Sequence, residues 1–515
     1  MPRQRRTLLV VAVAAAVVCA AALLWMEAGP FQQKSVVQTL EQAGDSKVRL
    51  RSFQRSYFPS PGCVMEGVEF YHGADAGTPL ITIQKLTIRG SYLGVISRRV
   101  SSITAEGLHI LIPPFGSGQT FHTTPSKITI GEIVANDALL EFAVHKPDTP
   151  PLRFEIHELT LHNVGWSGAL SYRVRVKNPE PPGEISAEGK FGVWNLKEPG
   201  QTPVSGAYKF DHADLSVYGG IAGTLSSAGK FSGVLKHIDI AGTTDTPDFE
   251  VQSGGHPVQL IADFNAYVDA IHGDTFLNHV DAHFGRTHVV ADGSIAKSPE
   301  GHGKVAIINL YAQGGRIEDI LMLFVGGNKA PMSGKVNMDA KVEIPPGDSP
   351  FLQKVKLRGE FGVGAGKFSS NTQESVDKLS AGARGEKVTD DPETVMSDLT
   401  GEVEAKDGTA NFANLSFTVP GAHSRMHGTF NLMNYKIDMR GRIRVDTKIS
   451  NTTSGGKAVL LKMMDPFFHK KLQGEVLPVR ISGTYEHPSF GLDLNDKDAQ
   501  KKQLPKFLVH RGKAK

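Results

Sequence analysis

Four stretches of the 515-residue chain bring chemically competent side chains together. His279, Asp281 and His283 alternate with other residues, so a strand presents all three on one face. Two imidazoles and a carboxylate are a donor set for a divalent metal, but a working site needs further ligands and groups that orient them. A solvated polar face is the favoured reading, and no metal is expected. Gly364-Ala-Gly366-Lys367 has the style of a phosphate loop, yet Phe368 stands where Ser or Thr must hold the metal. A turn is the better reading. Asn414-Leu-Ser416 and Asn451-Thr-Thr453 match the glycosylation sequon at the frequency that chance gives. There is no Gly-x-Ser-x-Gly nucleophile elbow. The carboxylates are scattered, so no acid–base pair can be nominated. The expectation is a protein that is not an enzyme and needs no cofactor.

What the sequence offers instead is a set of alternating strands. In residues 428–494, Phe430 and Leu432 fall on one face of a strand, as do Ile437 and Met439, and Ile443 and Val445. A helix-periodic segment follows at 457–471, then a strand at 477–481 and the turn Gly483-Thr-Tyr-Glu-His-Pro488-Ser-Phe490. Two earlier stretches follow the same plan. One carries Tyr208/Phe210 and Leu215/Val217 and ends in Gly242-Thr-Thr-Asp-Thr-Pro247-Asp-Phe249, read as the matching turn. The other carries Val305/Ile307, then a helix over 316–325 with the stripe Ile317, Ile320, Leu321, Phe324 and Val325. Repetition of this kind predicts an extended array, not one closed domain. The alternating pairs are therefore expected to line one shared trough. Such an apolar face must be covered by another sheet, by helices or by a ligand.

Composition agrees with a strand-rich chain. There are 55 Gly residues to punctuate short runs, and a net charge of +3 gives no field for a polyanion, so nucleic acid is not an expected partner. Aromatic residues are 8% of the chain, which favours aliphatic lining over platforms for stacking sugars. Two cysteines make no disulfide framework. Residues 8–26 are uninterruptedly apolar and as a helix would reach roughly 29 Å, enough for a bilayer core of about 30 Å. Arg3, Arg5 and Arg6 hold the N-terminus inside, which sends the bulk of the chain across the membrane. Cleavage after Ala28 would put Met26 three residues before the cut, a poor fit, so the anchor is expected to stay.

The second helical stripe comprises Leu460, Met463, Met464, Phe467 and Phe468, with Lys457, Lys462 and His469 to Lys471 around it. It is expected to plug the sheet or to touch membrane. The fold class expected is mostly β. An N-terminal transmembrane helix leads to an elongated, repetitive, groove-like antiparallel sheet with a few short amphipathic helices. The expected divisions are 1–30 (cytoplasmic stub and anchor), 31–200 and 201–370 (β regions), 371–397 (polar linker), 398–495 (C-terminal module) and 496–515 (basic tail).

Three places then resemble a known family. They are Phe58-Pro-Ser-Pro-Gly62 with Gly67-Val-Glu-Phe70 and Ile112-Pro113-Pro114; Asp398-Leu-Thr-Gly401 with Asp407-Gly-Thr-Ala-Asn-Phe412 and Val419-Pro-Gly421; and Asp465-Pro-Phe-Phe468 with Pro478-Val-Arg-Ile-Ser-Gly483. Together they resemble AsmA-like proteins of Gram-negative envelopes, a group related to TamB and YhdP. The resemblance implies a β-groove held in the periplasm by a single-pass inner-membrane anchor, linked to lipid traffic and outer-membrane biogenesis. The partners it implies are phospholipid or another acyl lipid, the inner membrane, and outer-membrane or other envelope proteins. It supplies no catalytic residues. Two hypotheses follow: a groove that holds acyl chains, and an envelope assembly scaffold whose apolar face is filled by its own side chains.

Overall fold

A computed structural model of the chain describes residues 31–493, apart from 45, 72–76, 98, 113–127, 143–150, 166–167, 194, 196–197, 219, 253–254, 299–302, 325–328, 348, 369–396, 446–475 and 485–486. The described residues are mostly β, with 25 strands, four short α-helices and two 3-10 turns. None of these helices is long and apolar enough to cross a membrane; the expected anchor, 8–26, lies outside the described residues. The chain divides into two compact units. The first comprises Met1–Val217, Leu225–Thr243 and Tyr267–Gly273, and the second Tyr218–Thr224, Thr244–Ala266 and Asp274–Lys515.

In the first unit the helix Gln33–Gly44 covers the start of an open sheet. Val36, with Phe31 just before the helix, packs on Cys63, Met65 and Val68 of the strand Gly62–Tyr71 and on Ile83, Leu86 and Ile88 of Ile81–Gly90. Cys63 and Met65, and Leu86 and Ile88, are two apart and share a face. The parity changes between Met65 and Val68, where Gly67 takes a positive φ of 59°. Met65 and Val68 are fully buried, and Cys63 nearly so, so this end has a filled core. Burial pushes the Cys63 thiol up to about 12. Beyond it the sheet runs through Arg99–Ile112, Thr129–Phe142, Leu152–Val164, Leu170–Pro179, Pro182–Phe191 and Pro203–Asp214. One pairing departs from the expected antiparallel sheet: Arg99–Ile112 and Thr129–Phe142 run parallel, with Ala105 opposite Ala135. A parallel neighbour needs a long crossover, and residues 113–127 lie between the two strands in sequence.

In the second unit, eleven strands from Asp274–Phe284 to Pro488–Leu492 each pair antiparallel with the next. Asp407 and Gly408, both at positive φ (52° and 72°), make the tight turn between Ser397–Lys406 and Thr409–Val419. An Asp-Gly pair is suited to that turn because its twist matches that of the flanking strands. Gly364 to Lys367 is neither a phosphate loop nor a turn. It lies within the strand Lys356–Phe368, where a bulge shifts the register against Met332–Ile344.

The expected repeat holds unevenly. Gly483 to Phe490 does turn, between Val476–Thr484 and Pro488–Leu492. Gly242 to Phe249 has the same Gly, Pro and Phe offsets but is extended throughout, inside the strand His237–Val251. Leu215 and Val217 are not on a strand: they belong to the 3-10 turn Leu215–Tyr218. Asp214 starts that turn by accepting the Ser216 backbone N–H at 2.9 Å; the Ser216 hydroxyl first, and this N–H after it, lower its pKa. Leu432 is likewise off the strand, which ends at Asn431. The Asn431 side-chain carbonyl accepts the backbone N–H groups of Met433 and Asn434, at 2.9 and 3.0 Å, and turns the chain there.

Candidate functional site

The second unit's strands are paired so that their apolar residues stand in rows. Ala291 is opposite Leu310, Leu310 opposite Ala340, and Ala340 opposite Gly359. The next row runs Met338, Phe361, Gly401. Val403 faces Phe412, which faces Gly428, Met439 and then Ile481. Because pairing is residue to residue, these positions share one side of the sheet. The other side is polar. There Lys356 pairs with Glu343 and Arg358 with Glu404, each at 2.7 Å, and Arg480 grips both oxygens of Asp438 at 2.8 and 3.1 Å. That double hydrogen bond holds the Asp438 carboxyl below the usual carboxylate range.

The large residues of the apolar side are half-buried. Phe361, Phe412, Phe430, Met439 and Ile481 all keep part of their surface exposed, while the fully buried positions are mostly Val and Ala. Glycines explain how the side chains pack. A Cβ added at Gly401 would meet the Phe361 ring at 3.1 Å, and one at Gly428 would meet the Met439 sulfur at 2.9 Å. Each large side chain occupies the space over a neighbouring glycine, so the layer stays thin. At one end, Ile317 and Ile320 of the helix Ile317–Met322 pack on Val336, Val363, Leu399 and their neighbours. The helix expected over 316–325 thus lies against the sheet, shorter than its apolar stripe; Val325 lies outside the described residues.

Thr287 fixes that helix to the sheet. It is buried, accepts the Arg316 backbone N–H at 2.9 Å and donates its hydroxyl to Asp319 at 2.9 Å. Asp319 also accepts the Arg286 backbone N–H at 2.7 Å, and Glu318 that of Gly334 at 3.0 Å. Acidic groups in a first helical turn also suit the helix dipole.

The first unit has an apolar side as well. Ile185 and Phe210, Ala187 and Tyr208, and Leu159 and Val174 are cross-strand partners. Among the described side chains of Leu152–Val164, Leu170–Pro179 and Pro182–Phe191, none is fully buried. The Tyr208 ring occupies the space over Gly229 and Gly242, and its hydroxyl shares a hydrogen bond with Ser227 at 3.0 Å. On the opposite side Arg173 meets Glu188 at 3.2 Å and Lys177 meets Glu155 at 3.3 Å.

The residues singled out in the sequence therefore separate. Phe430, Ile437, Met439 and Ile443 stand on the second unit's apolar side, and Tyr208 and Phe210 on the first unit's. Val445 occupies the backbone position opposite Ala422. Val305 and Ile307 fall on the polar side, because Ile307 pairs with Ser294 and Glu343 while its neighbour Ile308 pairs with Gly293 and Val342. Leu215, Val217 and Leu432 sit in turns. Leu460, Met463, Met464, Phe467 and Phe468 lie outside the described residues.

The polar cluster is also rearranged. A bulge between Leu277 and Val280 takes His279 out of the simple alternation with Asp281 and His283. His288, from the next strand, takes its place: Asp281 Oδ1 lies 2.6 Å from His288 Nε2 and 3.0 Å from His283 Nε2. The sequence signal for His288 was the two-residue connection Gly285-Arg286, which puts 283 opposite 288. Ala306/Ile308/Leu310 has no clean alternation to mark it, since Val305 and Ile307 beside it are apolar too. Met338/Ala340/Val342 alternates with Asn337, Asp339 and Lys341 and was legible in the sequence, but was passed over. No family model, curated protein or solved structure matches the chain.

Proposed function

We propose that the protein is a single-pass inner-membrane protein with the bulk of its chain in the periplasm. Its apolar sheet faces hold acyl chains of phospholipid or another acyl lipid, and so assist lipid transport or outer-membrane biogenesis without catalysing a reaction. The observation that carries this reading is the second unit's apolar side, eleven strands wide, whose apolar residues stay opposed from strand to strand although five of the ten pairings carry a β-bulge. Among the described residues, the layer laid on it is the one-and-a-half-turn helix Ile317–Met322. Half-exposed apolar surface costs about 25 cal/mol per Å² left in water, and contiguous patches beyond a few hundred Å² mark interaction sites. An acyl chain suits a long, thin, aliphatic face with few polar groups, and each methylene it buries returns about 0.8 kcal/mol.

The membrane part of the reading draws on the first unit. Phe58 is 87% exposed and Leu93 81%. Tyr92, beside Leu93, donates its hydroxyl to the Tyr57 carbonyl at 2.5 Å, so the two apolar tips belong to one patch. Phe31, five residues after the apolar segment 8–26, packs against Gly90 near this patch. An anchor there would bring Phe58, Tyr92 and Leu93 to the bilayer interface, where aromatic rings settle. The family resemblance points the same way. The scaffold alternative is favoured by the filled core around Met65 and Val68, which reaches from the Gln33–Gly44 helix as far as Ala135 and Ala138 of Thr129–Phe142.

The test is a photo-crosslinking amino acid at Phe412 or at Glu404, in the full-length protein in its membrane, read by mass spectrometry. Lipid adducts at 412 and none at 404 are expected. Adducts at 412 to this chain's own peptides alone, with no lipid on the purified protein, would leave the scaffold reading standing.

A further inference from the structure

We propose that Asp281, His283 and His288 form a binding site for a divalent transition-metal ion of the zinc class, on the polar side of the sheet. The three lie on one hairpin, Asp274–Phe284 and Thr287–Lys297, closed by Gly285 and Arg286. His283 and His288 are direct cross-strand partners, with ring centroids 4.6 Å apart and planes at 19°. Asp281, two residues before His283, projects from the same side. Both Nε2 atoms converge on one of its oxygens, at 3.0 and 2.6 Å.

The donor atoms all lie within 4.8 Å of one another. An ion held at about 2.0–2.2 Å by nitrogen and oxygen in a tetrahedron keeps its donors about 3.4 Å apart. Small rotations of the two exposed imidazoles about the half-buried Asp281 span that difference. The backbone beneath is already fixed. Thr287 is buried next to His288, and the Arg286 N–H and the Thr287 hydroxyl are both held by Asp319. A rigid base with mobile tips is a suitable platform for a chelate.

The chemistry narrows the ion. Two imidazoles with one carboxylate suit zinc, copper or nickel and not calcium or magnesium, which take oxygen ligands. Three protein ligands leave a fourth position for water or for a group from another molecule. A plain pair of imidazole–carboxylate contacts is the competing account, and it predicts no metal affinity at this hairpin.

The experiment uses the full chain in detergent, stripped with a chelator and titrated with zinc against a chromophoric competitor. Thermal unfolding is followed with and without zinc. The wild type is expected to bind zinc and to melt at a higher temperature in its presence. His288→Ala and Asp281→Asn should each weaken binding by about tenfold or more, since loss even of a ligand's outer partner costs 10–100-fold. Their melting without zinc should stay near that of the wild type. His279→Ala should bind as the wild type does. Equal zinc affinity in the wild type and His288→Ala, or an equal loss in His279→Ala, overturns the site.

Discussion

Phe361 and Phe412 meet edge to face across an intervening strand, with ring centroids 6.2 Å apart and planes at 87°. The strand between them contributes Gly401, directly paired with Phe361. A Cβ there would come within 3.1 Å of the Phe361 ring and 3.0 Å of Leu415, so either neighbour would have to give way. Two rings and a glycine therefore form a unit that is thin, aromatic and open on its outer side. The same arrangement, with Met439 over Gly428, recurs farther along the sheet.

Adjacent residues should respond in opposite ways to a charge. Ile308→Asp places a carboxylate on the apolar side, opposite Gly293 and Val342, and should cut bound lipid sharply. Ile307→Asp places it between Ser294 and Glu343 and should leave lipid content near the wild-type value. Lipid mass spectrometry with a circular dichroism melt on both variants checks this. An equal loss of lipid in the two would refute the assignment of faces.

Thr287→Val keeps the shape of a buried side chain and removes its hydroxyl. The Arg316 N–H then loses its acceptor and Asp319 loses a donor. A cost of about 1–3 kcal/mol is expected, with the Ile317–Met322 helix loosened first. Urea unfolding gives the energy, and amide exchange at Leu321 and Met322 shows where it is spent.

The Cys63 thiol should resist iodoacetamide in the native protein and react on unfolding, since burial raises its pKa to about 12. The sign of the pH effect follows. The raised pKa favours the fold while the thiol is protonated in both states. That contribution is lost as pH climbs from the ordinary thiol value of 9.0 towards about 12, where the unfolded chain ionises and the folded one does not. Stability measured across that range should fall less steeply in Cys63→Ala than in the wild type.

A fluorophore at Phe58, in the full chain reconstituted into bilayers, should be quenched by headgroup-attached nitroxides. One at Glu188 should not. Six strand steps separate Gly62–Tyr71 from Pro182–Phe191 within the first unit, about 29 Å at about 4.8 Å each. Equal quenching at the two sites would exclude the patch as a membrane contact.

The sequence by itself determined that this chain is made of strands with one apolar side. Phe430, Ile437, Met439 and Ile443 were legible because period-two alternation is a local property, set by the geometry of the extended backbone. Tertiary structure decided which side of each strand joins the apolar face. In the run Val305-Ala-Ile-Ile308-Asn-Leu310 both parities are apolar, and only pairing with Thr287–Lys297 and Met332–Ile344 selects Ile308 and Leu310. Shifting a register by one residue exchanges the faces, so no local pattern can fix it. The parallel step between Arg99–Ile112 and Thr129–Phe142 and the extended path of Gly242 to Phe249 are likewise set by neighbouring strands. His288 joined Asp281 and His283 for the same reason. The bulge after Leu277 and the two-residue turn at Gly285 are features of a paired hairpin, and a single strand read alone contains neither.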